Sequence, residues 1–150
     1  MEYHVLKYLE DKEVVSRTAT GAPLATVNYR PDTEDLITSL YSESAPQEQD
    51  THHFDSDRIG IQFLTRVKLN TKSAYDLAWK IHRNLTALGS LEITEAGETI
   101  NIIDTHIVNP PTFLENDEKG RAVFTSHYAF RINIGGNLYR KMDKTLTPNG

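Results

Sequence analysis

The apolar and polar positions of this chain alternate most regularly over residues 58–69. Ile59, Ile61, Phe63 and Val67 fall on one side and Gln62, Arg66 and Lys68 on the other, the pattern of a half-buried strand. Helix-start residues follow at once, Asn70, Thr71, Lys72 and Ser73. Ala74, Leu77, Ala78, Ile81, Leu85 and Leu88 then keep a helical period over four turns, and Gly89 is expected to end the helix as its C′ residue. Tyr75 and Trp79 lie off that stripe, four apart, where they either cover a flank of the core or face a partner. Residues 91–95 and 98–108 read as two strands joined across Ala96 and Gly97, a hairpin signal. Asn109, Pro110 and Pro111 are expected to stop the second of them, and residues 112–119 to form a loop.

Gly120 then permits a turn into the longest predicted strand, residues 121–134, in which Ala122, Phe124, Tyr128, Phe130, Ile132 and Ile134 share a face. Before all of these elements, residues 2–13 form an amphipathic helix with Val5, Leu6 and Leu9 on one side. Residues 14–19 are a candidate strand, Thr20 to Pro23 a turn, and residues 24–29 a further strand. Leu36, Ile37, Leu40 and Tyr41 suggest a helical turn or a strand. After them the chain is polar and without period to about residue 57, a long loop of the kind that tends to be functional or disordered. The sum is an α+β fold, a two-layer sandwich of a mainly antiparallel sheet with helices packed on one face. Residues 1–134 are read as a single domain, with a long polar loop at about 41–57, and residues 135–150 as a flexible tail carrying a basic cluster.

Composition narrows the function classes. The 150 residues are 38% apolar and 25% charged, with no cysteine, so thiolate metal sites, disulfides and a cysteine nucleophile are excluded. Residues 1–4 show neither the basic nor the apolar region of a secretory leader. The longest apolar run is far short of the roughly 18 residues that a membrane span needs. A net charge of −5 argues against general nucleic-acid binding. The charge is also segregated. Residues 30–58 carry eight carboxylates and two arginines, a net of −6, whereas residues 119–150 carry six cations and one acid, a net of +5. Solvated surfaces account for such runs; so does an acidic segment that meets the basic segment of a neighbouring copy.

Catalytic chemistry finds little support. His52, His53, Asp55 and Asp57 are the nearest approach to a metal-ligand cluster, and a small metal-dependent enzyme or ligand-binding module built on them is one reading. They lie in the unpatterned polar loop, however, which fixes no geometry. His106 and His127 fall on predicted strands and would meet across a sheet only in one register. The chain has no Gly-x-Ser-x-Gly elbow and no phosphate-binding loop. The expectation is a non-enzyme without a cofactor.

Three pieces in order resemble the tail terminator family of long-tailed bacteriophages, whose members are also labelled minor capsid or tail-completion proteins. They are the strand Arg58 to Arg66; the helix SAYDLAWKIHRNLTAL with Gly89; and the acidic turn Asn116, Asp117, Glu118 set before Gly120, Arg121 and the last alternating strand. The likeness runs from Pro23 to Ile134, leaving the acidic loop and the tail unmatched. It implies a structural virion protein, assembled in the host cytoplasm. Such a protein forms a ring, generally a hexamer, that caps the head-proximal end of the tail tube, stops tube polymerisation and presents a surface for head attachment. The implied partners are further copies of the chain, the tail tube protein and a head connector or head-completion protein, with DNA only in passage and no membrane. A head–tail connector or head-completion role is the alternative within that class. On this reading Asp50, His52, His53, Asp55 and Asp57 supply one side of the subunit contact. Arg66, Asp117, Arg121 and Arg131 belong to the other side, with the three arginines as the ionic partners of the acidic loop.

Overall fold

The computed structural model of the chain describes residues 1–43, 56–68, 71–86 and 88–133. Two helices, α1 (Glu2–Asp11) and α2 (Thr71–Thr86), accompany six strands: β1 (Leu24–Val27), β2 (Ile37–Glu43), β3 (Ser56–Lys68), β4 (Gly89–Glu95), β5 (Glu98–Asn116) and β6 (Arg121–Asn133). The strands form one curled sheet in the order β1-β2-β3-β6-β5-β4. Only β1 and β2 run parallel; the other pairs are antiparallel. The elements fit the expected α+β class.

The alternation seen in the sequence decides which face is covered. Ile61 and Phe63 pair with Tyr128 and Ser126 across β3 and β6, and this face receives both helices. Val5, Leu6 and Leu9 of α1 join Leu77, Ile81 and Leu85 of α2 in one apolar cluster with Leu40, Ile61, Phe63, Ile102, Tyr128, Phe130 and Ile132. Phe63 and Tyr128 meet edge to face with ring centroids 5.7 Å apart, an arrangement worth roughly 0.5–1.5 kcal/mol beyond the area buried. Trp79 does lie on a flank of the core. It is half-buried between His82 and Tyr75, while Tyr75 is 46% exposed.

Several expectations are corrected. Residues 14–19 are not a strand: they make a turn with one isolated bridge, Ser16 to Leu24, and only Val14 and Val15 of the segment are buried apolar residues. The patch at 36–41 resolves as the strand β2. Gly89 does not cap α2 with a left-handed backbone; it opens β4, and the positive φ falls on Ser90 at 50°. The hairpin at Ala96 and Gly97 is present, with φ of 53° and 82°, the two left-handed residues of a type I′ turn. β5 does not stop at Pro110 and Pro111. It continues to Asn116 with irregularities flanking Asn109, so much of the expected loop at 112–119 is strand. The prolines are tolerated because β4 pairs with β5 only as far as Asp104. Beyond that point β5 has, among the described residues, a partner on one side alone, and proline in a sheet is confined to such edges. Of the expected loop at 41–57, Tyr41–Glu43 belong to β2 and Ser56 and Asp57 to β3; its remainder, and the tail at 135–150, lie outside the described residues.

The parallel pairing of β1 with β2 controls the back of the sheet. Leu24 stands beside Ile37 and Val27 beside Leu40, so residues 28–36 must carry the chain back to the level at which β1 began. A parallel crossover ordinarily takes a dozen or more residues. This one has nine, and it lies tightly against the sheet face opposite the helices.

Candidate functional site

Arg66 and Arg121 hold that crossover down. Arg66 pairs with Val123 and Arg121 with Lys68 across β3 and β6, which puts both arginines on the face away from the helices, as the alternation predicted for Arg66. Both are nonetheless only 2% exposed, because residues 30–35 cover them. One terminal nitrogen of Arg66 (Nη2) donates to the carbonyl oxygens of Pro31, at 2.5 Å, and Glu34. Arg121 donates to the carbonyl oxygen of Asp32 at 2.6 Å.

Carboxylates complete the arrangement around Arg121. Its Nε donates to Asp117 Oδ2 at 2.7 Å and its Nη2 to Asp32 Oδ1 at 2.5 Å. The other oxygen of Asp117 accepts the backbone N–H groups of Lys119 and Arg121, both at 2.9 Å, which closes the turn before β6. Gly120, at φ +74°, gives that turn its left-handed step. Lys119 Nζ reaches Asp32 Oδ2 at 2.5 Å. The hydrogen bonds from Lys119 and then Arg121 lower the Asp32 carboxyl to about 2. Asp117 is also lowered: burial pushes it up, but the N–H groups of Arg121 and Lys119 and the Arg121 guanidinium outweigh that. Arg66 is lowered, by burial first and then by the nearby charges of Arg121 and Arg30. Among the described residues no carboxylate forms an ion pair with it. A cavity of about 230 Å³ opens here, lined by Arg30, Asp32, Arg66, Asp117, Glu118, Lys119 and Arg121.

The second feature is apolar. Along the unpaired half of β5, Ile107, Val108, Phe113 and Leu114 are 41–52% exposed. Phe113 meets Phe124 at 5.6 Å and Phe124 meets Tyr75 at 5.8 Å, so an aromatic path continues from the strand edge to the start of α2. Scattered exposed apolar side chains are ordinary, whereas a run of them along an open strand edge is a feature common to interaction surfaces.

Of the expected contact residues, Arg66, Asp117 and Arg121 come together at the cavity and Arg131 lies apart from it. Arg121 and Asp117 are paired with each other inside the chain, Arg66 is buried under the crossover, and Arg131 donates to Asp104 Oδ2 at 2.6 Å. Asp50, His52, His53 and Asp55 lie outside the described residues, as does the side chain of Asp57. Among the described residues, no group of three or more His, Asp or Glu side chains is placed to hold a metal ion. His106 and His127 do not face each other: His106 stands opposite Ala129, and His127 opposite Asn109. Sequence reasoning missed Asp32 and Asp104, whose partners are 89 and 27 residues away. It also missed His82 Nδ1, which lies 2.7 Å from the Tyr128 hydroxyl in the core.

A buried arginine network thus holds the crossover and the turn before β6, and an apolar strand edge stands open along β5. The family model for bacteriophage tail terminator proteins matches residues 8–134, and the chain belongs to that family. The family is structural and not an enzyme family, and its role is in the phage tail. A solved protein labelled only with a sequence identifier shares the fold, with a TM-score of 0.53 at 11% identity over 88% of this chain and 92% of that one. No curated protein matches. No helix among the described residues is long and apolar enough to cross a membrane.

Proposed function

We propose that copies of this chain join side to side into a closed ring, a hexamer by family resemblance, on the head-proximal end of the tail tube. The ring ends tube growth and offers its outer surface to a head connector or head-completion protein, while DNA passes through its channel. Assembly takes place in the host cytoplasm and the product stays in the virion tail. No cofactor is required.

The observation that carries this reading is the exposed apolar side chains of Ile107, Val108, Phe113 and Leu114 on the half of β5 that, among the described residues, pairs with β6 alone. A ring interface is heterologous, one patch against a different one, and a free strand edge with apolar side chains supplies one such patch. The acidic segment containing Asp50, His52, His53, Asp55 and Asp57 is assigned to the same contact, facing the basic segment of the next copy. Among the three arginines expected to receive it, Arg131 is the accessible one, with its side chain 28% exposed. All three have partners within their own chain, Arg131 on Asp104.

Electron microscopy and sedimentation of the purified protein, with and without tail tubes, test the proposal. Rings at high concentration or decorated tube ends are expected, and Leu114→Asp disperses them while leaving the fold intact. Asp55→Lys with Asp57→Lys weakens the ring, and Arg131→Glu in that background restores it in part. Protein that remains single at every concentration and never binds tube ends rules the ring out. A position elsewhere at the head–tail joint of intact particles favours the connector role instead.

A further inference from the structure

β5 is much longer than the strand outside it. It has 19 residues and β4 seven, and β4 covers it only from Glu98 to Asp104. Among the described residues, β5 therefore keeps an open edge from Thr105 to Asn116, and β4 keeps one on its outer side. Both edges lie on the same margin of the sheet, one beyond the other along it. Open edges of this kind are templates for a further strand. We propose that a second copy of this chain fills both at once, as a two-fold dimer of the free protein. The two-fold axis stands perpendicular to the sheet beside Gly89, where β4 begins. The second copy's β4 then lies end to end with the first and alongside the open half of β5. The first copy's β4 lies in the same way against the second copy's β5. The added pairs run parallel, as β1 and β2 do within the chain.

The side chains match as well as the edges. Ile107 and Phe113 stand opposite Tyr128 and Phe124, on the face that receives the helices, yet they are 41% and 48% exposed. On β4 that face carries Leu91 and Ile93, which pack with the core cluster, and α1 packs against the strand. A perpendicular two-fold axis keeps the helix-bearing faces on one side. The incoming β4 therefore sets its apolar face level with Ile107 and Phe113 and brings its own α1 to cover them. An isologous contact satisfies two unlike edges in this way, each copy supplying what the other lacks. Pro110 and Pro111 interrupt the hydrogen-bond ladder, so apolar side chains supply most of the contact and the dimer is weak. The dimer occupies the edge that the ring proposal uses. Resting on that reading, it is a storage form that must part before a copy enters a ring; the dimer itself rests on the two edges alone.

The test uses the full-length protein without tail tubes. Sedimentation over a concentration series is expected to show single copies in equilibrium with pairs, with half-dissociation on the order of 10 μM. Leu114→Asp weakens the pair by about tenfold or more, since a charge then enters an apolar contact. Thiol cross-linking reads the symmetry. The chain has no cysteine, and a Cβ at Gly89 meets nothing nearer than the Ile103 carbonyl oxygen at 3.7 Å, so Gly89→Cys places one tolerated thiol beside the axis. A residue beside a two-fold axis meets its own copy, so a short bis-maleimide is expected to link Gly89→Cys into covalent pairs. Tyr29→Cys, 61% exposed in the crossover, is the control and stays unlinked. Protein that is single at every concentration overturns the dimer, and so does linking through Tyr29→Cys as readily as through Gly89→Cys. Rings built from protein that never pairs in solution overturn the dimer and keep the ring. Pairs that never yield rings or decorated tube ends keep the dimer and sink the ring.

Discussion

The guanidinium of Arg121 bridges two carboxylates that lie 85 residues apart in the chain, donating to Asp117 at 2.7 Å and to Asp32 at 2.5 Å. Through this one side chain the turn that starts β6 is tied to the crossover between β1 and β2. The bridge makes Arg121 far more important than its neighbour Lys119, although both contact Asp32. Arg121 is buried, so Arg121→Met leaves Asp117 without its guanidinium and the Asp32 carbonyl without its donor, and is expected to destabilise the fold strongly. Lys119 is 57% exposed, and Lys119→Met is expected to cost less than about 1 kcal/mol. Urea denaturation of the two variants checks the contrast.

Asp32 supplies an acid-dependent part of that bridge. Its carboxyl is lowered from 3.8 to about 2 in the folded chain, so its contribution is complete above its ordinary value and is lost as pH falls towards 2. Wild type is expected to exceed Asp32→Asn in stability at neutral pH, and the gap to close progressively below about pH 4. A gap independent of pH shows that the carboxylate charge contributes nothing.

His82 gives a second pH dependence, in a different window. Burial, then the charge of Arg83, lowers its pKa from 6.5, so the folded chain resists protonating it while the unfolded chain does not. Stability therefore falls as pH drops below 6.5. Tyr128, its partner, is raised to about 12 by burial, and this second loss begins only as pH climbs past the ordinary tyrosine value of 10.0. His82→Phe is expected to flatten the acid limb between about pH 7 and 5 and leave the alkaline limb in place. Thermal melts across pH read both.

The hairpin turn offers a gain. Ala96 sits at φ 53°, a backbone that asparagine or glycine adopts at less cost than alanine. Ala96→Gly or Ala96→Asn is expected to raise stability by about 0.4–1 kcal/mol, measured as a shift in the urea midpoint at constant slope. In the core, Phe63→Ala removes a fully buried ring and is expected to cost about 3–5 kcal/mol.

The sequence disclosed the elements whose burial follows a single period. β3, α2 and β6 were legible because Ile61, Phe63, Leu77, Ile81, Tyr128 and Phe130 repeat at strand or helix spacing and meet one core. The path of β5 beyond Asn109 was not, because two prolines signal a stop unless one knows that β4 ends at Asp104 and leaves that edge open. The arginine network was half legible. Alternation put Arg66 on the polar side of β3, but only the parallel pairing of β1 with β2 reveals that residues 30–35 lie over it. The partners of Arg121 and Arg131 were hidden for the same reason, since strand register, not local pattern, brings Asp32 and Asp104 to them.

Pro110 and Pro111 have a bearing on how far association can go. Successive residues of an extended strand aim their N–H groups to opposite sides, so one of two adjacent prolines leaves a gap in the donors along the open edge of β5. A strand from another molecule laid there would find its ladder interrupted midway, and sliding by two residues would move the gap out of place. That interruption discourages unlimited fibrous stacking and rewards one alignment, which suits the closed ring proposed for this chain.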